Sequence, residues 1–242
     1  MWQADKGIVL SAIRHNDKSC VVRVFTQSAG MVPFIFYISQ SSKGASRNTL
    51  IQPMTRISFQ SDGAPSSNLR HMKEVRNYAP YTDILFNPAK SAISLMLGEF
   101  LSYALAGEEA NGPLFDFIDQ SMQWLDSAAP GDYSNFHLRF LLNVAGFLGI
   151  CPNAEGYRPG YLLDMREGIF TGNPTGHADT LDADNSFKIA VLLQSTYQNM
   201  QSAPLTGQQR SSLLRFMNDW FRIHIPSFPA IKSIDVLEVV FD

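Results

Sequence analysis

Five short β-branched and aromatic runs crowd into the first 75 residues, and turn chemistry fills every gap between them. They are KGIVLSAIR (6–14), SCVVRVFT (19–26), GMVPFIFYI (30–38), TRISFQ (55–60) and LRHMKEV (69–75). HNDK, QSAG, a Ser/Lys/Arg loop and SDGAPSSN separate them. In the second run Cys20, Val22 and Val24 alternate with Val21, Arg23 and Phe25, the period of a strand with two faces. So many short strands in so little chain must protect their edges, and the pattern predicts a small closed or half-closed barrel. Phe34, Phe36 and Phe59 then read as its filling.

After Tyr78-Ala79-Pro80 the period changes from strand to helix. NPAKSAISLMLGEFLSYALAGEE opens on an Asn-Pro start and places Ile93, Leu97, Phe100, Leu101 and Leu105 on one side. PLFDFIDQSMQWLDSA predicts a second amphipathic helix with Leu114, Phe117, Ile118, Met122 and Leu125 inward. SNFHLRFLLNVAGFLG, started by Ser134 or Asn135, is apolar nearly all round and predicts a buried central helix. Residues 151–183 lose the helical period; YLLDMREGIF suggests a hairpin around Arg166-Glu167-Gly168, followed by the irregular TGNPTGHADTLD. Helices resume at DNSFKIAVLLQSTYQNM and TGQQRSSLLRFMNDWFRIHI. The expected class is α+β in two domains, a β-barrel over 1–79 and a mainly α-helical domain over 80–242 with an insertion at 151–183.

Charge divides the chain more sharply than its overall net of −3 indicates. Residues 1–76 carry ten Lys or Arg against four Asp or Glu, a balance of +6, and the remainder carries −9. Fields act locally, so the first third has the polarity of a polyanion binder. No signal-peptide-like start and no apolar run of membrane-spanning length is present, so an intracellular, cytoplasmic protein is expected. The two cysteines, Cys20 and Cys151, form no CxxC pair and read as small buried hydrophobes.

Enzyme signatures are weak. There is no GxSxG elbow, no glycine-rich phosphate loop ending in Lys-Ser/Thr and no HExxH, and the five histidines are scattered singly. His177 and Asp179 in GHAD are the only start of a metal or catalytic site, without a second ligand pair. The barrel instead offers bases interleaved with strand residues: Arg14, Arg23 and Arg56, the loop cations Lys43 and Arg47, and Lys73 and Arg76 as outlying contacts. Such an arrangement suits phosphates. The alternative is an interaction scaffold whose barrel binds an acidic protein, since carboxylates attract the same cations.

The run KGIVLSAIRHNDKSCVVRVFTQSAGMVPFIFYI, its basic loop and LIQPM resemble the start of the bacterial RecO (recombination protein O) family. The likeness continues in SLMLGEFLSYALAGEEANGPLFDFIDQSMQWLD, in NFHLRFLLNVAGFLGICPN and in FRIHIPSFPAIKSIDVLEVVF, in the same order. The resemblance implies an N-terminal OB-fold, a C-terminal helical domain and no bond-breaking activity. It also implies binding to single- and double-stranded DNA, strand annealing and work at the nucleoid. The partners it implies are RecR, the C-terminal tail of single-stranded DNA-binding protein (SSB) and, functionally, the recombinase RecA. For the acidic, apolar SSB tail, Arg139 in the matching helix is the first candidate contact and Lys90 the second. Many family members carry a four-cysteine zinc motif where this chain has residues 156–180 and no cysteine, so no zinc is expected. Tyr161, Leu162, Leu163, Ile169 and Phe170 are expected to hold that hairpin by packing.

Overall fold

A computed structural model of the protein describes residues 2–38, 48–62 and 69–241. The chain forms two compact units, Met1–Ser127 and Ala128–Asp242. In the first, strands β1 (Gln3–Asn16), β2 (Ser19–Thr26), β3 (Gly30–Tyr37), β4 (Arg56–Ser61) and β5 (Arg70–Asn77) close into a barrel in the order β1-β2-β3-β5-β4. All neighbours are antiparallel except β3 and β5. Alternation selects the filling: Val9, Val22, Val24, Val32, Phe34, Phe36, Ile57, Phe59 and Met72 form one buried cluster. Phe34 and Phe59 meet edge to face at 5.1 Å.

Two helices complete this unit, α1 (Pro88–Ala104) and α2 (Gly112–Ser127). The side chain of Asn87 accepts from the Ala89 and Lys90 amides while Pro88 occupies the first turn, as the Asn-Pro start predicts. Helix α1 packs on β1. Gly98 allows the approach, because a Cβ there would stand 2.8 Å from Pro53 and 3.0 Å from the Leu10 carbonyl oxygen. Ile8 and Leu10, either side of the inward Val9, are fully buried, and Phe25 of β2 lies 6.2 Å from the Phe115 ring of α2. The predicted stripe of α1 is buried throughout. On α2, Leu114, Ile118, Met122 and Leu125 are buried as predicted, but Phe115 is buried with them and Phe117 only half-buried.

The second unit is built on α3 (Phe136–Phe147), whose Phe136, Leu138, Phe140, Leu141, Leu142 and Val144 are all buried, as the apolar run predicts. Asn135 precedes it without capping it; its Nδ2 donates instead to the carbonyls of Met200 and Ala203 at 3.0 and 2.9 Å. Helices α4 (Ala183–Gln194), α5 (Gly207–His224) and α6 (Ser233–Phe241) follow, α5 opening on a Thr206–Gln209 capping box. The predicted hairpin is β6 (Leu162–Asp164) with β7 (Ile169–Thr171). A third strand, β8 (Thr180–Leu181), joins β6 out of sequence that reads as irregular.

Polar ties join packing in this small sheet. Leu163 and Phe170 are buried, but Ile169, expected to pack, is 46% exposed. Asp164 accepts from the Arg166 and Glu167 amides at 2.9 and 3.1 Å and faces His177 Nε2 at 3.4 Å. Arg166 pairs with Asp179 at 2.6 Å, and Trp220 of α5 donates its indole N–H to the Ile150 carbonyl at 2.9 Å. Cys20 is buried as expected, whereas Cys151 is exposed, past the end of the buried helix. Among the described residues no helix is long and apolar enough to cross a membrane.

Candidate nucleic-acid interface

The helices cover one part of the barrel wall and leave the far ends of β1, β2 and β3 open. Register places Ile13, Val21, Ile35 and His71 in one row across β1, β2, β3 and β5, with Ser11, Arg23 and Pro33 in the row below. Val32, Phe34 and Phe36 point inward, so Ile35 and Tyr37 point outward. Ile13 is 58% and Tyr37 56% exposed. A shallow cavity of about 480 Å³ lies beside them, lined by His15, Asn16, Asp17, Lys18, Ser19, Ile35 and Tyr37. An exposed aromatic ring, an apolar strand face and flanking cations are the components that hold a single strand on a small barrel.

Not all the cations singled out in the sequence gather here. Arg14, two residues before the end of β1, pairs in register with Cys20 of the inward row and so lies at the rim of this surface. It sits in an exposed pair with Asp17 at 3.4 Å, which costs little to exchange for a phosphate. Arg23 is half-buried on β2, its guanidinium 6.0 Å from the ring of Tyr103 on α1. Lys73 and Arg76 lie on β5, paired with β4 on another side of the barrel. Lys43 and Arg47 lie outside the described residues. Tyr37, Lys18 and Trp2 were not singled out. Strict alternation along β3 was the signal for Tyr37, since inward Phe34 and Phe36 force it outward.

Arg56 is a correction. It is 4% exposed, its Nη2 donates to the Ala79 carbonyl at 2.5 Å, its Nη1 lies 3.6 Å from Asp119, and it stacks 4.6 Å from the Tyr81 ring. Asp119 also accepts from the Tyr78 hydroxyl at 2.8 Å. Burial, then that hydrogen bond, pushes the Tyr78 phenol well above its usual range; burial does the same to Tyr81. This guanidinium fastens the barrel to α2 and is not presented to a ligand.

Lys90 is a second correction. It is 1% exposed, its ammonium 2.8 Å from Asp83 and 3.0 Å from the Asp126 carbonyl oxygen. The carboxylate of Asp126 accepts from the amides of Thr82, Asp83 and Ile84 at 2.8 to 2.9 Å. Burial alone would raise its pKa, but these donors hold it below the usual value. Lys90 therefore clamps the strand-to-helix connection. Arg139 is half-buried, its Nε donating to the Ser195 carbonyl at 2.7 Å, and burial lowers its pKa.

A zinc site of the four-cysteine kind needs converging thiolates. Residues 156–180 have none, and among the described residues no group of three or more His, Cys, Asp or Glu converges. His177 and Asp179 diverge, one toward Asp164 and the other toward Arg166. The donors present do not fit the ion.

Comparison with known proteins agrees with this architecture. Residues 1–81 match the family model "Recombination protein O N terminal" and residues 85–156 "Recombination protein O C terminal". The chain is similar to proteins named DNA repair protein RecO from Phocaeicola vulgatus, at 37% identity over 241 residues and all of both chains, and from Bacteroides fragilis, at 35% over 243 residues and all of both. A third, from Flavobacterium johnsoniae, is 32% identical over 237 residues, 98% of each chain. The chain thus belongs to the recombination protein O family and is a DNA repair and recombination protein, not an enzyme.

Proposed function

We propose that the chain is a recombination mediator that binds single- and double-stranded DNA without sequence preference and anneals complementary strands. With RecR it helps load RecA onto strands coated by SSB, in the cytoplasm at the nucleoid. The observation that carries the DNA-binding part is the open β1-β2-β3 surface, where exposed Tyr37 and Ile13 stand among Arg14, Lys18 and Arg23. Phosphate contacts carry no base identity, so such a surface binds strands of any sequence. Annealing follows when cations screen the repulsion between two strands held close together. Lys43 and Arg47, a few residues after Tyr37 in sequence, are proposed to add phosphate contacts. Arg139 is the proposed contact for the acidic, apolar SSB tail, and the chain is proposed to work without zinc.

Fluorescence anisotropy with a labelled oligonucleotide at two salt concentrations tests the reading. Affinity is expected to fall with salt by roughly 0.7 log units per phosphate contact per decade. Arg14→Ala with Arg23→Ala, and separately Lys43→Ala with Arg47→Ala, flatten that slope. Tyr37→Ala weakens binding by about 1–3 kcal/mol. Binding to an acidic peptide with none to DNA refutes the reading. Loss of SSB-tail binding in Arg139→Ala, with the fold retained by circular dichroism, tests the partner assignment.

A further inference from the structure

The barrel has another exposed side, on β1, β4 and β5. Strand β4 is separated from β2 by β1 and from β3 by β5, so this side turns away from the β2–β3 surface. Lys6 of β1 and Arg76 of β5 flank Ser58 of β4 in one row, and Ala4 and Lys73 flank Gln60 in the next. Trp2 continues the outward alternation of Lys6 and Ala4; it is 43% exposed, with Lys73 Nζ 4.0 Å from its ring centroid. Lys6 Nζ likewise stands 5.1 Å from the Tyr78 ring.

A bulge creates the face. On a regular strand two residues three positions apart point to opposite sides. Here Ser58 and Gln60, two apart, pair with Arg76 and Lys73, three apart, so both cations point outward. The inserted Glu74 has φ +54, a conformation that a non-glycine side chain rarely adopts. Core packing accounts for neither cation, since Val75 and Met72 supply β5's inward contacts. Bulges commonly re-aim side chains beside binding sites. The acids on this face are Glu74, which accepts from Gln60 Nε2 at 3.1 Å, and Asp62, which continues the outward alternation of Ser58 and Gln60 and accepts from the His71 amide at 3.2 Å; the neighbouring Asp5 turns to Ser28 at 2.6 Å. Three cations against two carboxylates leave the face positive.

We propose that this side of the barrel is a second binding face for single-stranded nucleic acid, with Trp2 as the base-stacking platform and Lys6, Lys73 and Arg76 as phosphate contacts. The proposal rests on the DNA-binding reading above. Charge complementarity selects a polyanion, and the exposed indole selects one with flat bases over an acidic peptide. One barrel then holds two strands at once, on faces that do not compete.

The test uses the full chain and an oligothymidylate of about eight nucleotides, within the site size of one such barrel. Trp2 is exposed, Trp124 half-buried and Trp220 buried, so contact quenching by an oligonucleotide bound at the surface reports largely on Trp2. The oligonucleotide is expected to quench it in the wild type and not in Trp2→Phe. Calorimetric titration is expected to give two oligonucleotides per chain, falling to one in Lys73→Ala with Arg76→Ala. Trp2→Ala weakens the second site by about tenfold. One oligonucleotide per chain in the wild type, or a quench that survives in Trp2→Phe, overturns the face while the DNA-binding reading stands. No DNA binding by the wild type overturns both. Quenching by polyglutamate but not by the oligonucleotide assigns the face to an acidic protein and overturns it as well.

Discussion

A cation on a strand is worth nothing to a ligand once its guanidinium is spent inside the protein. Arg56 and Arg23 look alike in sequence, each on a strand beside apolar neighbours, yet of the two only Arg23 keeps solvent-exposed surface. The difference lies in Asp119 and the Ala79 carbonyl, which are 63 and 23 residues away in the chain and carry no local signal. Arg56→Ala is therefore expected to act on stability, leaving Asp119 without its ion pair at a cost of about 3–5 kcal/mol in urea unfolding. A variant that stays fully stable and loses only DNA affinity would return Arg56 to the interface. His137 gives a second expectation at this scale. It is fully buried on α3, and burial, with a smaller effect from Arg210, lowers its pKa to about 3. The unfolded chain takes up a proton near pH 6.5 that the folded chain refuses until about pH 3. Stability is thus complete above pH 6.5 and falls with acid by up to about 1.4 kcal/mol per pH unit. Unfolding measured from pH 7 to 4 checks this, and His137→Gln flattens the dependence.

Elements were legible where a period of two or of three to four residues repeats without interruption, and less so where a single residue breaks it. All five barrel strands and the amphipathic helices are of the first kind. The β5 bulge is of the second: LRHMKEV reads as an ordinary strand, and nothing near Glu74 announces the extra residue that turns Lys73 and Arg76 to one side. Glu74→Gly relieves the positive φ and keeps the bulge, so a gain of about 0.5–1 kcal/mol is expected with binding retained. Gly30 behaves in the opposite sense. It has φ +70, and a Cβ there would stand 2.1 Å from the Glu108 carbonyl oxygen, which accepts from the Met31 amide. Gly30→Ala must part β3 from the connection between α1 and α2, and a clear loss of thermal stability is expected. The small sheet of the second unit tests the missing thiols. It is proposed to stand on polar ties through Asp164, His177, Arg166 and Asp179 without a metal, so melting with and without EDTA should coincide. About one equivalent of zinc in the purified protein would contradict this.

At the scale of the molecule, a change of secondary structure and the edge of a packing unit are different boundaries. Strand patterning ends near residue 79, and that change is plain in the sequence. The compact unit that contains the barrel runs on to Ser127, because packing between distant residues has no composition of its own. Ile8 and Leu10 lie under α1, Phe25 meets Phe115, and Arg56 requires Asp119. A chain cut after Ala79 uncovers the first three and leaves Arg56 as a buried-type cation with no carboxylate. A chain cut after Ser127 retains every one of these contacts, along with both outward surfaces of the barrel. The shorter chain is therefore expected to expose apolar surface and to lack a cooperative thermal transition, while the longer one unfolds cooperatively. The longer chain should also bind oligonucleotides with the salt slope of the full protein, since every phosphate contact proposed here precedes residue 77. A cooperative transition in the chain ending at Ala79 would show that the barrel stands alone and that α1 and α2 are only its neighbours.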